Sequence, residues 1–513
     1  MLISKIPVFI LYLRTFVVIL PLKALLKHSK LIRPMQHDDS HLMKFGELMM
    51  GFLDYAPNEA QTTLIAAFAR FCLTSPSDSV FLLNGYAGTG KTSMTGALVR
   101  TLHHINRKTV LLAPTGRAAK VFSAYSQCPA YTIHRKIYRQ KSYSPEYGNF
   151  GIADNKHTDT FFIVDEASMV GNSSADAVAF GTGRLLDDLV HYVYSGTNCR
   201  LILLGDTAQL PPVGFDESPA LDSGVLSAYG LGVYRFTLTD VVRQGSDSGV
   251  LCNATRLRNA IAALRSGKIA ALQAPRLSLT GFSDIEMLSS EFLLETISDC
   301  YDRDGIGETI IITRSNRRAT LFNLGVRNQV LYREDELVSG DLLLVAKNNY
   351  YWSEDYDEID FIANGDVARV SRVSGTEEAY GFRFARVTLD FPDHEVELDA
   401  RVVLDALTTD APALTREQNE KLFMQVQQEL PGDKRARYRA LKKNGFFNAL
   451  QVKYGYTVTC HKAQGGQWKN VFIDMGAIPD DAMLTLDFYR WLYTALTRAT
   501  GHVYLINSRL EWQ

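Results

Sequence analysis

Short, mostly apolar runs that each end in a polar loop are the clearest pattern in the first half of the chain. Residues 80–84, 160–164 and 200–204 are three such runs, and each has the length of one strand. Runs of this kind are typical of strands that are buried on both faces. Residues 93–103 follow the first loop with apolar side chains at helical spacing. The pattern therefore predicts a buried strand, a loop and a helix in succession.

A second pattern, in the later part of the chain, alternates apolar and polar positions. It occupies three neighbouring segments: residues 367–373, 382–389 and 395–398. Alternation with a period of two predicts strands with one buried face. After them, Thr415 and Gln418 have the spacing of a capping box, which predicts the start of a helix.

Composition indicates a multidomain globular protein. The chain has 513 residues, of which 46% are hydrophobic, and its length suggests roughly three or four domains. The net charge is −2 and the pI is near 6.6, whereas a simple nucleic-acid-binding domain has a pI above about 9. A protein that contacts only a few phosphates needs only local positive charge, so this balance does not exclude nucleic acid as a partner.

The cysteines and the N-terminus bear on location. The six cysteines include no Cys-x-x-Cys pair, which favours a reducing cytoplasm and argues against zinc or iron–sulfur binding. Residues 1–34 contain six basic residues and no acid, and Arg14 divides their apolar stretch into pieces too short to span a membrane. We expect an extension outside the fold and no stable membrane association, while a basic amphipathic anchor or signal-like segment stays open.

The loop after the first apolar run has the composition of a phosphate-binding loop. Residues 85–92 fit Gly-x-x-x-x-Gly-Lys-Thr at every fixed position. Glycines allow backbone N–H groups to face phosphates, Lys91 supplies a cation, and the Thr92 hydroxyl is a ligand for Mg²⁺. The predicted nucleotide-binding residues here are Gly85, Gly88, Thr89, Gly90, Lys91, Thr92 and Ser93. The loop predicts binding and hydrolysis of a nucleoside triphosphate, with ATP and Mg²⁺ as cofactors.

Polar groups at the ends of the next two apolar runs supply further chemistry. Asp165 and Glu166 follow residues 160–164, and we expect Asp165 to hold magnesium and Glu166 to polarise the attacking water. Gln209 follows residues 200–204 and is a candidate γ-phosphate sensor.

These segments resemble superfamily 1B DNA helicases of the RecD and Dda type, which include RecD-like ATP-dependent helicases and the exonuclease V alpha subunit. The resemblance rests on Asp-Glu-Ala-Ser at 165–168 and Gly-Asp-x-x-Gln-Leu-Pro-Pro at 205–212, and it covers most of the chain. It implies an α/β fold with two RecA-like P-loop NTPase domains of parallel sheets flanked by helices, a small 1B insertion and an SH3-like β 2B insertion. We expect an extension at residues 1–34 and domain 1A at residues 35–235, with the 1B insertion at about 131–158. The first part of domain 2A is expected at residues 236–340 and its remainder at 451–513. The 2B insertion and a helical segment are expected between them, at residues 341–450.

The resemblance also implies roles for residues outside the three loops. Gln61 is similar to the adenine-reading glutamine, Gly465 to a nucleotide-binding glycine of motif V, Arg243 to the motif IV arginine and Arg498 to the arginine finger of motif VI. The catalytic set is then Lys91, Asp165, Glu166, Gln209, Arg243 and Arg498. The implied contacts to single-stranded DNA are Pro114, Thr115, His134, Thr459, His461 and Lys462.

The activity implied by the family is translocation from 5′ to 3′ on single-stranded DNA, coupled to ATP hydrolysis and duplex unwinding. The expected protein is a cytoplasmic monomer with single-stranded and duplex DNA, and replication or recombination proteins, as partners. Two alternatives stay open: an ATPase subunit active only within a helicase–nuclease complex, and an RNA-directed superfamily 1 helicase. The pathway, whether repair, recombination or another, is not visible in the sequence.

Overall fold

The computed structural model describes residues 39–140, 150–172, 181–240, 248–356, 358–359, 361–476 and 478–512. The expected extension at residues 1–34, the middle of the expected 1B insertion and the candidate Arg243 lie outside these ranges. No helix within the described ranges is both long enough and apolar enough to cross a bilayer.

The first half of the chain forms one parallel sheet and one small hairpin. Its strands are β1 (Ser79–Gly85), β2 (Lys108–Ala113), β3 (Ala130–Thr132), β4 (Tyr138–Gln140), β5 (Phe150–Ile152), β6 (Thr160–Val164), β7 (Arg200–Gly205) and β8 (Gly232–Leu238). β4 and β5 pair as an antiparallel hairpin. The other six form a sheet in the order β3-β2-β6-β7-β1-β8, with every pairing parallel.

Helices connect these strands and cover both faces of the sheet. They are α1 (Asp39–Gly51), α2 (Glu59–Thr74), α3 (Lys91–His104), α4 (Gly116–Ser126), α5 (Ile133–Ile137), α6 (Leu185–Ser195) and α7 (Ser223–Ala228), with 3₁₀ turns at Ala167–Met169 and Pro219–Leu221. Val80 and Leu82 of β1 pack in the cluster that contains α6, whereas Phe81 and Leu83 pack with α1, α2 and α3. Alternate residues of a wholly buried strand thus fill two separate cores, which explains its continuous apolar run.

The second half repeats this architecture and adds a barrel. Its strands are β9 (Ile285–Leu288), β10 (Thr309–Thr313), β11 (Leu342–Val345), β12 (Val367–Ala379), β13 (Phe382–Phe391), β14 (Val396–Val403), β15 (Leu450–Tyr454), β16 (Thr457–Thr459), β17 (Trp468–Asp474) and β18 (Ala499–Ile506). A parallel sheet has the order β16-β10-β17-β18-β9, and β11 to β15 close into a five-stranded barrel. The barrel is an insertion between β10 and β16.

The helices of this half are α8 (Gly249–Arg265), α9 (Leu293–Asp304), α10 (Asn316–Gly325), α11 (Asp405–Thr408), α12 (Arg416–Glu429), α13 (Lys434–Lys442), α14 (Cys460–Ala463) and α15 (Leu486–Leu496). Shorter helical segments occur at Ile306–Glu308, Val326–Val330 and Ala482–Leu484, the second of them a π-helix. The fold is therefore two RecA-like α/β domains with an SH3-like barrel inserted in the second. In parallel sheets of this kind, the loops at the carboxyl ends of the strands form the ligand-binding edge.

Candidate nucleotide-binding and DNA-binding sites

The loop between β1 and α3 has the shape of a phosphate cradle. Gly88 and Gly90 adopt φ values of 76° and 80°, in the left-handed region that favours glycine. A Cβ atom at Gly85 would lie 3.1 Å from Cβ of Lys91, so the loop closes tightly over the start of the helix. Lys91, Thr92 and Ser93 make up the first turn of α3. Helix N-termini carry free N–H groups and a partial positive charge, which suits this turn to a phosphate.

Gln61 is completely buried beneath this loop. Its Nε2 donates to the Thr89 carbonyl at 3.2 Å and to the Tyr55 hydroxyl at 3.2 Å. Its Oε1 accepts from the Asn58 N–H at 3.2 Å, as the second half of the capping box of α2. The structure therefore places Gln61 as a support of the phosphate-binding loop, while its role in reading adenine stays a prediction.

Asp165 and Glu166 follow β6 at the same edge of the sheet. The Asp165 carboxylate accepts the Glu166 N–H at 2.8 Å and is only 8% exposed. Burial raises the pKa of Asp165 to about 6; the nearby Lys91 opposes this shift and the Glu166 carboxylate adds to it. A dication at this position would offset the burial of two adjacent carboxylates.

Asp206 and Gln209 follow β7 beside this pair. Burial raises the pKa of Asp206, and both Lys91 and Glu166 act on it electrostatically. Sequence reasoning did not select Asp206 as a site residue, although its position directly after a buried strand was a usable signal. The three strand-end carboxylates and Lys91 therefore form one charged site.

Two oxygen atoms show that this site suits a polar ligand. Glu166 Oε2 and Gln209 Oε1 are buried, and neither has a hydrogen-bond partner among the described residues. Buried polar atoms are normally paired, so orphaned ones need a ligand or water. A magnesium nucleotide with its attacking water would fit these groups, and the roles of Thr92 and Asp165 as metal ligands stay a prediction.

Helix α15 of the second domain closes over the first. The Tyr493 hydroxyl donates to Asp206 Oδ2 at 2.6 Å and accepts the Ala87 N–H of the phosphate-binding loop at 3.0 Å. The next residue, Thr494, accepts the Leu210 N–H at 3.0 Å. Gln464 Nε2, before β17, donates to the Leu210 carbonyl at 2.8 Å. The two domains are therefore joined at the loops that surround the nucleotide site.

Arg498 lies one turn beyond this contact and is 3% exposed. Its guanidinium donates to the carbonyls of Thr494 at 3.1 Å and Gly466 at 3.3 Å, and to the Thr497 hydroxyl at 3.2 Å. The structure thus places the candidate arginine finger against its own domain, and its contact with nucleotide stays a prediction.

The expected DNA contacts come from loops of both domains. Pro114 and Thr115 follow β2, and the Thr115 hydroxyl caps α4 by accepting the Ala118 N–H at 3.2 Å. A Cβ atom at Gly465, which follows α14, would lie 3.2 Å from the Thr115 hydroxyl. The structure therefore puts Gly465 against the expected DNA contacts of the first domain, and its assignment to nucleotide stays a prediction.

The remaining DNA candidates differ in exposure. Thr459 is the N-cap residue of α14, and His461 is exposed on that helix. Lys462 is half-buried, and burial lowers its pKa to about 8. His134 is half-buried on α5, and burial lowers its pKa to about 4, although the nearby Asp188 opposes the shift. His134 is therefore neutral at physiological pH.

Comparison with known proteins gives matches for both halves. Residues 57–278 match the family described as AAA domain, and residues 454–506 match the UvrD-like helicase C-terminal domain. The ATP-dependent RecD2 DNA helicase of Deinococcus radiodurans is 25% identical over 450 residues, which cover 84% of this chain and 47% of that protein. The chain thus spans about half the length of that relative.

Two further similarities are more limited. The multifunctional conjugation protein TraI of Escherichia coli is 28% identical over 159 residues, which are 28% of this chain and 8% of TraI. Among solved structures, the Pif1 helicase from Bacteroides has a TM-score of 0.43 at 15% identity, covering 89% of this chain and 93% of that one.

Proposed function

We propose that this chain is a RecD-like helicase of superfamily 1B, which uses ATP to move 5′ to 3′ on single-stranded DNA and to unwind duplex DNA. The observation that carries the proposal is the double contact of Tyr493 with Ala87 and Asp206 across the two RecA-like domains. A phosphate bound at the loop would lie directly beside this contact, so nucleotide state would bear on how the domains meet.

The proposed chemistry assigns one task to each group at the strand ends. Lys91 and the N–H groups of the first turn of α3 bind and orient the phosphates. Thr92 and Asp165 hold Mg²⁺, which neutralises charge on the phosphate oxygens. Glu166 orients and polarises the attacking water through its buried oxygen, which has no hydrogen-bond partner in the described part of the chain. Gln209, whose Oε1 is also unpaired, positions the water or senses the terminal phosphate.

Movement along DNA follows from where the two domains meet. Thr115 and Gly465 come from different domains and lie side by side. Residues that flank them are the proposed contacts to the DNA backbone, so opening of the nucleotide site would separate two grips on one strand. Alternate tightening of these grips would advance the protein by one step in each cycle. The direction of movement is taken from superfamily 1B.

The cellular setting belongs to the same proposal. The six cysteines are free in the structure, and disulfides are rare in the cytoplasm. We place the helicase in the cytoplasm, with single-stranded and duplex DNA as its partners.

The first test is unwinding, with ATP and Mg²⁺, of matched duplexes that carry a 5′ or a 3′ single-stranded tail. We expect unwinding from the 5′ tail only, and we expect Lys91→Ala to abolish both unwinding and hydrolysis because the phosphates lose their cation. Lys268→Ala, which alters an exposed lysine in the second domain, is the matched control and should leave both activities unchanged.

Three results would contradict the proposal. DNA-stimulated hydrolysis retained by Lys91→Ala would refute the assigned nucleotide site. Hydrolysis without unwinding from either tail would favour a subunit that needs its complex. Stronger stimulation by RNA than by DNA of the same sequence would favour an RNA-directed enzyme.

A further inference from the structure

Helix α5 presents different chemistry on its two sides. The ring of the half-buried His134 lies 5.7 Å from the ring of the buried Tyr138. The Tyr138 hydroxyl in turn donates to the buried Asp188 at 2.7 Å. Because His134 is held neutral in this packing, it does not supply a cation to a phosphate. Any attraction of nucleic acid to this helix must come from its other residues.

Two cations of this helix and three residues near it form a positively charged surface, which we call the edge stripe. It consists of Tyr131, Arg135, Lys136, Arg139 and Lys156. The Tyr131 ring is 36% exposed, with the Arg135 guanidinium carbon and the Lys136 Nζ each 5.6 Å from its centroid. Arg139 and Lys156 are exposed, and Lys136 is half-buried.

The stripe leads into a cavity of about 530 Å³ at the base of the β4–β5 hairpin. Its lining includes Lys136, Arg139 and Lys156 but a single carboxylate, Asp154. His157 also lines it, and burial together with the nearby Lys136 and Lys108 lowers the pKa of its imidazole. With His157 neutral, three cations and one carboxylate leave a local charge of +2 on a chain whose net charge is −2.

Among the residues that the structure describes, one carboxylate, Asp154, only partly balances these three cations. Within the described ranges, Lys136, Arg139 and Lys156 form no ion pair with a carboxylate. Arg139 instead donates to the carbonyls of Arg135 at 2.7 Å and Tyr138 at 3.0 Å. Lysine and arginine side chains that meet around a cavity without carboxylate partners repel one another, so an anionic ligand would stabilise the arrangement.

The position of the stripe connects it to the expected DNA contacts. β3 is the edge strand of the first sheet, and Tyr131 pairs in register with Leu112 of β2, two residues before Pro114. Lys156 lies at the other end of the stripe, shortly before β6, where Lys108 Nζ contacts the Thr158 hydroxyl at 3.5 Å. The stripe thus begins beside the expected DNA contacts and runs along the sheet edge away from them.

We propose that the edge stripe binds the phosphodiester backbone of a nucleic-acid strand that extends beyond Pro114 and Thr115. The inference rests on the proposed function and adds a second contact surface to it. The exposed ring of Tyr131 favours nucleic acid over an acidic protein segment, because bases stack on aromatic side chains beside cations. The cations contact phosphates and therefore bind without sequence preference.

The test is DNA binding without ATP, measured by fluorescence anisotropy over a range of salt concentrations. Two probes are compared. One is an oligothymidylate too short to reach beyond the expected DNA contacts, and the other is a forked duplex with long single-stranded arms. We expect Lys136→Gln/Arg139→Gln to weaken fork binding and to reduce the slope of log affinity against log salt by about 1.4 to 1.8, because two phosphate contacts are lost. Binding of the short probe should change little.

Two further variants separate charge from stacking and from global effects. Lys44→Gln/Lys268→Gln removes the same charge from exposed positions elsewhere and should leave the slope as in the parent. Tyr131→Ala should weaken binding of the single-stranded arms without changing the slope, because stacking releases no counterions. Unchanged melting temperatures would show that each variant is folded.

The outcomes are distinct. If the parent binds the fork and Lys136→Gln/Arg139→Gln matches it in affinity and slope, the inference is wrong while the proposed function stands. Polyglutamate serves as a further anisotropy probe. If Lys136→Gln/Arg139→Gln loses binding to polyglutamate but binds DNA as the parent does, the stripe binds an acidic protein and the inference is wrong. A parent that binds no nucleic acid would refute both the inference and the proposed function.

Discussion

Glu166 is the residue at which backbone geometry and proposed chemistry are most closely linked. Its φ of 51° lies in the left-handed region, which is uncommon for a residue with a long side chain. Such conformations cost of the order of 1–3 kcal/mol and cluster at functional sites. Here the conformation accompanies a buried carboxylate oxygen that no described residue pairs with, beside the carboxylate of Asp165. This geometry fits a Glu166 carboxylate that binds the attacking water better than one that stabilises the fold.

Glu166→Gln is the corresponding test at the residue scale. The amide keeps the shape but cannot act as a base, so we expect ATP affinity to be retained and hydrolysis to fall by about 10²–10⁴-fold. Steady-state ATPase rates and binding of a fluorescent ATP analogue give the two quantities. Asp159→Asn is the matched control, since Asp159 also has a φ of 51° but precedes the opposite end of β6. Turnover within a few-fold of the parent for Glu166→Gln would exclude the proposed role.

At the scale of elements, a buried ionic cluster fixes the barrel to the second RecA-like domain. Asp341, directly before β11, accepts from Arg327 of the π-helix at 3.0 and 2.9 Å and from Arg333 at 2.7 Å. The Tyr456 hydroxyl, just before β16, donates to the same carboxylate at 2.9 Å. Burial alone would raise the pKa of Asp341, but hydrogen bonds from Arg327, the Val338 N–H and Arg333 lower it overall. Ionised Asp341 therefore stabilises the folded protein fully at pH values above the ordinary pKa of aspartate. This contribution is lost as the pH falls through the lowered pKa of Asp341 in the folded state.

We expect Asp341→Asn to destabilise the protein by about 3–5 kcal/mol at neutral pH, because it leaves the buried Arg327 charge without its partner. Calorimetry at neutral pH would show a lower melting temperature for the transition that contains the barrel. Glu420→Gln breaks the exposed Arg416–Glu420 pair on α12 and should have an effect below about 1 kcal/mol. Equal melting temperatures for Asp341→Asn and Glu420→Gln would show that the cluster does not fix the barrel.

At the scale of the whole molecule, helix α15 makes several of the hydrogen bonds between the RecA-like domains. Tyr493 joins the phosphate-binding loop to Asp206, and Thr494 holds the backbone after β7. One helix turn earlier, Arg490 is 4% exposed and donates to Glu217 of the first domain at 2.7 Å. Three residues on one face of α15 therefore bond to the first domain, which carries the nucleotide site.

Tyr493→Phe tests this connection. Loss of a hydrogen bond to a charged group costs about 1.5–3 kcal/mol, so we expect DNA-stimulated ATP turnover to fall about tenfold or more. Tyr489→Phe is the control, because Tyr489 lies on the same helix and its hydroxyl donates to Gln273 within the second domain at 2.6 Å. ATPase rates with saturating single-stranded DNA decide the matter. Equal rates for the two variants would mean that the Tyr493 contact does not couple the domains.

The sequence by itself determined the features that depend on neighbouring residues. Gly88 and Gly90 adopt the left-handed conformations that the phosphate-binding loop requires, and β1 and α3 flank the loop as the apolar pattern predicted. The capping box of Thr415 and Gln418 is present at the start of α12. The segments that alternate apolar and polar residues are strands β12, β13 and β14 of the barrel. Strand period, helix caps and turn residues act within a few positions, so their pattern can be read directly.

Only the tertiary structure decided which distant groups meet. Ala87 and Tyr493 are 406 positions apart, and no local periodicity specifies that they bond. The same holds for Gly465 against Thr115 and for the hydrogen bond of Gln61 to Thr89. On α5, the motif drew attention to His134, and only the structure showed its packing against Tyr138. Such pairings arise from the burial of whole faces and the closure of domains, which depend on every element at once.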